Sequence, residues 1–117
     1  ERSAHRSSSQ LVQLAKRFIR DNLSRPLKLE GVAAYLHVSD RHLSRLFNKQ
    51  GGDTFKAYVV RERLNVAEVN LKTTVLSIKE IAEGVGFQSV HYFTRVFAEH
   101  YGMPPATYRK RSMDGAD

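Results

Sequence analysis

The sequence predicts an all-α chain in which two helix-turn-helix units are joined by a long helix. Three features point there: an internal repeat, apolar residues recurring at helical spacing, and cap and stop signals at the expected boundaries. A shift of 50 positions lays Leu43-Ser44-Arg45-Leu46-Phe47 over Phe93-Thr94-Arg95-Val96-Phe97, and Gly52, Tyr58 and Arg61 over Gly102, Tyr108 and Arg111. Upstream the shift is 49, so that Val32-Ala33 meets Ile81-Ala82, Leu36 meets Val85 and Val38 meets Phe87. The second copy therefore holds one extra residue in its turn. Each copy reads as a short helix, a tight turn and a second helix.

Residues 1–9 are polar and Ser-rich and read as a linker or boundary segment. The first helix follows, with Ser9 as N-cap, Leu11, Leu14, Ala15, Phe18 and Ile19 on one face, and Arg25-Pro26 as its stop. It belongs to a first unit at 10–53. There Lys28 stands at the cap position of the short helix and Gly31 lies inside it, at a cost of about 0.5 to 1 kcal/mol relative to Ala. Ser39 caps the second helix, Leu43, Leu46 and Phe47 form its buried side, and Gly51-Gly52 ends it.

Residues 54–72 read as a linker helix from Thr54 to about Leu71, with Phe55, Tyr58, Val59, Leu64, Ala67 and Leu71 as one buried stripe. At 1.5 Å per residue it spans roughly 27 Å, a rod suited to holding two such units about one DNA helical turn apart. The second unit, 73–111, opens with the capping box Ser77-Ile78-Lys79-Glu80, buries Ile78, Ile81, Ala82 and Val85, and turns at Gly86. Ser89 caps its second helix, Phe93, Val96 and Phe97 are its buried side, and Gly102 ends it; 112–117 form a tail.

Composition narrows the function. The chain has 117 residues, a net charge of +7, 41% hydrophobic and 26% charged residues, and no Cys or Trp. That excludes a disulfide scaffold, thiolate metal sites and cysteine catalysis. Apolar runs are too short for a membrane span, which makes a soluble cytoplasmic protein the expectation. The basic excess favours a polyanionic partner. Residues 76–117 carry five basic and five acidic residues, so anion binding there depends on where Lys79, Arg95 and Arg109 are placed.

At 100° per residue, Arg41, Arg45 and Asn48 point away from the buried side of the first unit's second helix, with Ser44 at the edge. In the second unit His91, Arg95 and Ala98 do so, with Thr94 at the edge and Gln88, Ser89 and Val90 at the helix start. Arginine can take guanine O6 and N7 together, Ser or Thr can bond several base edges, and Val can touch a thymine methyl. Helix starts at Ser39 and Ser89 offer N–H groups to phosphates, for which Gln88, Asn48, Lys79 and Arg109 are the further candidates. Arg45 and Arg95 could instead pair with Glu30, Glu80 or Glu83, and Asp40 is a charge that favours the dipole in a first helical turn but repels phosphate, and that could alternatively accept from cytosine N4. His91 and His100 fall on opposite faces of one helix and His37 and His42 are split by a turn, so no metal is expected. No catalytic constellation, and hence no catalytic residue or cofactor, is apparent.

These residues resemble the C-terminal DNA-binding domain of AraC/XylS-type bacterial transcription regulators. The resemblance covers roughly residues 10–111 and rests on Leu43-Ser44-Arg45-Leu46-Phe47, Gly52, Arg61, Arg63-Leu64 and Ala67. It continues in Ile81-Ala82, Val85-Gly86-Phe87, Tyr92-Phe93-Thr94-Arg95-Val96-Phe97, Gly102 and Pro104-Pro105-Ala106-Thr107-Tyr108-Arg109. It implies a seven-helix domain that binds double-stranded promoter DNA, most often to activate transcription, with RNA polymerase as a further partner. By position, the family's base-reading places fall on Arg41, Ser44, Arg45, Val90, His91, Thr94 and Arg95. Lys28 and Gly31 depart from the family's usual start of the first unit. The resemblance further implies an effector-binding or dimerisation domain elsewhere in a parent protein. The alternative from the residues alone is a helical protein-interaction module docking on the transcription machinery with only non-specific DNA affinity.

Overall fold

A computed structural model describes residues 7–50 and 52–115, which hold seven helices and no strand. They are α1 (Ser8–Asp21), α2 (Leu29–Leu36), α3 (Asp40–Gln50), α4 (Phe55–Thr73), α5 (Ile78–Gly84), α6 (Val90–Tyr101) and α7 (Pro105–Met113). The chain divides into two compact units between Arg61 and Glu62, inside α4.

In the first unit, α1 begins earlier than the Ser9 cap predicts. Ser7 is the N-cap: its Oγ accepts from the Gln10 N–H at 3.1 Å while its own N–H donates to Gln10 Oε1 at 2.9 Å. Only a cap three residues before a Glu or Gln can close this reciprocal pair, which is why Ser7 is preferred to Ser9. Residues 7–9 are therefore cap and helix rather than linker, and 1–6 lie outside the described residues. Helix α2 starts at Lys28 without a side-chain cap, as the sequence predicts. Ala15, Ile19, Val32, Ala33, Leu36, Leu43, Phe47, Tyr58 and Val59 form the core. Tyr58 packs its ring 5.7 Å from Phe47 and accepts at its hydroxyl from Arg20 Nη1 at 2.9 Å. Lys16 Nζ and the Arg61 guanidinium lie 5.1 and 5.6 Å from the same ring, and Arg61 pairs with Asp53.

In the second unit the capping box forms as read: Ser77 Oγ accepts from the Glu80 N–H at 3.0 Å and the Ser77 N–H donates to Glu80 Oε1 at 2.8 Å. Leu64, Ala67, Leu71, Ile81, Ala82, Val85, Phe87, Phe93 and Phe97 are buried. Val96, expected in the core, is half-buried. Phe97 packs between Phe93, Tyr101 and Tyr108 at centroid distances of 5.6, 4.4 and 5.4 Å.

The two turns close alike. In the first, the Val38 N–H donates to Ala33 O at 3.0 Å around His37 at φ 61°; in the second, the Phe87 N–H donates to Ala82 O at 2.9 Å around Gly86 at φ 103°. Each is a six-to-one closure that needs one left-handed residue. The second copy uses Gly, which takes that conformation without strain, and the first uses His37. The extra residue of the second turn is Gln88.

Helix α4 departs from the single stripe expected of it. Thr54 caps it through Oγ1, which accepts from the Ala57 N–H at 3.0 Å. Tyr58 and Val59 are buried in the first unit, and Leu64, Ala67 and Leu71 in the second. At 100° per residue these two sets lie about 160° apart around the helix axis, so no one stripe runs its length.

Candidate nucleic-acid interface

Each unit presents its second helix by the same local chemistry. Ser39 Oγ accepts from the His42 N–H and Ser89 Oγ from the Tyr92 N–H, both at 3.0 Å. The caps satisfy one orphan N–H at each helix start and leave the first N–H groups directed outward. Leu43, Leu46 and Phe47 anchor α3, and Phe93 and Phe97 anchor α6. The opposite face of α3 exposes Arg41, Arg45 and Asn48, with Ser44 half-buried; that of α6 exposes His91 and Arg95, with Val90 and Thr94 half-buried. Ser39, Gln88 and Ser89 are exposed before the two helices, and Lys79 is exposed on α5. Asp40 is exposed in the first turn of α3, where a carboxylate suits the helix dipole.

The two faces differ in charge. On α3, Arg41, Arg45 and Lys49 recur every four residues, and among the described residues Arg41 and Arg45 have no acidic partner. On α6, Arg95 Nη1 lies 3.2 Å from Glu99 Oε2, and the Arg95 guanidinium lies 5.2 Å from the Tyr92 ring. The acids that the sequence offered to these arginines, Glu30, Glu80 and Glu83, pair with neither. Glu99 and Tyr92 were missed as neighbours of Arg95. Their spacing of four and three residues along one helix was the available signal.

Arg109 binds backbone carbonyls of its own unit. Its Nε donates to Leu71 O at 3.1 Å, Nη1 to Leu76 O at 2.7 Å and Nη2 to Thr74 O at 3.3 Å. The guanidinium thus clasps the end of α4 and the loop before α5, giving one N–H from each of its three nitrogens to a carbonyl.

A polar set scaffolds the second unit. The Tyr108 hydroxyl donates to Glu68, whose other partner, Lys72 Nζ, is at 3.4 Å. The bond from Tyr108, helped by Lys72 and opposed by burial, holds the Glu68 carboxyl below its ordinary range. Burial, with Glu68 and Tyr108 adding to it, pushes the Tyr101 hydroxyl up to about 12. That hydroxyl donates to Leu64 O at 3.5 Å. Burial also lowers the pKa of Arg63, with Tyr92 opposing the shift. Among the described residues no group of three His, Asp or Glu side chains can hold a metal ion, and no helix is long and apolar enough to cross a membrane.

Two capped helices presenting polar faces from duplicated helix-turn-helix units define a class of nucleic-acid reader. A family model described as a helix-turn-helix domain matches residues 32–111. The uncharacterized HTH-type transcriptional regulator YfiF of Bacillus subtilis is 51% identical over 108 residues, 92% of this chain and 34% of YfiF. The chain thus spans about a third of that relative's length. An AraC-type transcriptional regulator structure from Chromobacterium violaceum aligns with TM-score 0.84 and 30% identity over 90% of this chain and 94% of its own. The DNA-binding domain of the global transcriptional factor AdpA, solved with a target DNA, aligns with TM-score 0.79 and 25% identity over 94% and 97%. The chain therefore belongs to the AraC-type helix-turn-helix family of DNA-binding transcription regulators.

Proposed function

We propose that each unit inserts its second helix into the major groove of duplex promoter DNA and reads bases there. Arg41, Ser44 and Arg45 do so from α3, and Val90, His91, Thr94 and Arg95 from α6. Ser39, Ser89, Gln88, Asn48 and Lys79 meet the flanking phosphates. The observation that carries this reading is the duplicated presentation: Ser-capped helices, one repeat apart, each place an exposed arginine at the same register, Arg45 and Arg95. Base edges supply the discrimination and phosphates the register. The protein acts in the cytoplasm, as an activator, with RNA polymerase as its onward contact.

Selection from a random duplex pool at about 150 mM salt, where purely electrostatic binding is weakened, tests the reading. Two short blocks of preferred bases are expected. Arg45→Ala and Arg95→Ala should each cost about 1 to 3 kcal/mol and relax preference within one block. No enrichment from the pool overturns base reading by this chain.

A further inference from the structure

The repeat places Lys49 of α3 over Glu99 of α6, four residues after Arg45 and Arg95 respectively. This difference, together with His42 in place of Tyr92, reverses the setting of the matched arginine. Arg95 is held between the Glu99 carboxylate at 3.2 Å and the Tyr92 ring at 5.2 Å. Tyr92 is itself half-buried, 5.9 Å from the buried Phe87 ring. In the first copy His42 stands where Tyr92 does, Lys49 where Glu99 does, and Arg45 has no acidic partner among the described residues. Helix α3 thus carries Arg41, Arg45 and Lys49 along its outward face, its acid Asp40 lying in the first turn, while α6 carries His91, Arg95 and Glu99.

Resting on the reading above, we propose that Glu99 is a specificity-determining positioning residue, whose counterpart on α3, Lys49, serves affinity instead. On α3, Lys49 extends the cationic face beyond the base-reading arginines and adds salt-dependent phosphate affinity to that helix's reading of bases. On α6 the carboxylate repels phosphate, keeps the guanidinium from swinging to the backbone, and fixes a fork whose two parallel N–H groups suit a purine edge. A held fork loses less side-chain freedom on meeting its base than a free one does. Glu99 therefore weakens binding to arbitrary duplex and sharpens preference at the base pair that Arg95 meets.

The test uses the whole chain, with Glu99→Gln, Glu99→Lys and Lys49→Glu measured against a pool-selected duplex and a random duplex of equal length, from about 50 to 300 mM salt. Both side chains of the Arg95–Glu99 pair are more than 60% exposed, so the substitutions leave the core untouched. Glu99→Lys should tighten random-duplex binding and steepen the salt slope by about one to two. It should also cut the selected-to-random ratio by about fivefold or more, the low end of what one bidentate contact supplies. Glu99→Gln should lower the ratio with a smaller change in slope. Lys49→Glu should make the slope shallower by about one to two and weaken random-duplex binding at least as much as selected binding. A wild-type ratio well above one that the Glu99 variants leave unchanged overturns this assignment even if the slope moves, because Glu99 would then be a repelling charge alone. A wild-type ratio near one overturns the base-reading function beneath it.

Discussion

Arg109→Ala removes three N–H donors from the end of α4. The Leu71 carbonyl is one of the last four of that helix, which have no intrahelical partner, and the residue that bears it is 1% exposed. A charge-assisted bond of this kind contributes about 1.5 to 3 kcal/mol. The bond to Leu76 O is exposed, where water takes over part of the role, and that to Thr74 O is the longest of the three at 3.3 Å, so about 0.5 kcal/mol each is reasonable. The positive charge at a helix C-terminus adds a few tenths at most. The loss should come to roughly 2.5 to 4 kcal/mol, or a melting temperature about 10 to 30 °C lower for a unit of this size. Arg109→Lys should recover less than half, since a point charge cannot span three carbonyls. Thermal unfolding followed by circular dichroism measures the loss, and the salt slope of DNA binding is measured on the same variants. A variant that melts within about 0.5 kcal/mol of the parent while its salt slope falls by about one would refute the clasp and restore Arg109 as a phosphate contact.

Five further variants have expected outcomes. Lys28→Ser supplies α2 with the side-chain cap that Ser77 gives α5, and urea unfolding should show about 0.5 to 1 kcal/mol of added stability. His37→Gly should stabilise by up to about 1 kcal/mol by relieving a left-handed non-glycine residue, whereas Gly86→Ala should destabilise by a similar amount, both read from denaturation midpoints. The Tyr101 hydroxyl ionises less readily folded than unfolded, so the stability it confers is complete below its ordinary value near 10 and is lost as pH rises through about 12. Tyr101→Phe should flatten the alkaline limb of stability against pH. Glu68 has the opposite sign, its contribution being lost as pH falls through its lowered value, and Glu68→Gln should flatten the acid limb.

The repeat made most of the fold legible because both turns and both reading helices are built from local signals: a cap, an apolar pair, a left-handed residue. Ser77, Gly86, Ser89 and Gly102 act where their chemistry predicts. The Ser9 cap failed because three consecutive serines offer the same hydroxyl, and only Gln10, reaching back three residues, selects Ser7. Helix α4 was misread because apolar residues on different faces, taken together, resemble one broad stripe. Arg109 could not be read at all, since its partners are backbone carbonyls, which leave no mark in a sequence. The pair Arg95–Glu99 was visible in the spacing and passed over in favour of acids on neighbouring helices.

Phe47 and Tyr58 in one unit occupy the repeat positions of Phe97 and Tyr108 in the other, and the ring pairs sit 5.7 and 5.4 Å apart. Their hydroxyls are used in opposite senses: Tyr58 receives a proton donor from Arg20, and Tyr108 gives one to Glu68. A phenol is amphoteric, able to face a cation or an anion without moving its ring. The same aromatic pair thereby serves one unit in which the hydroxyl meets a guanidinium and another in which it meets a carboxylate. A tyrosine at the edge of a core suits surroundings of either sign.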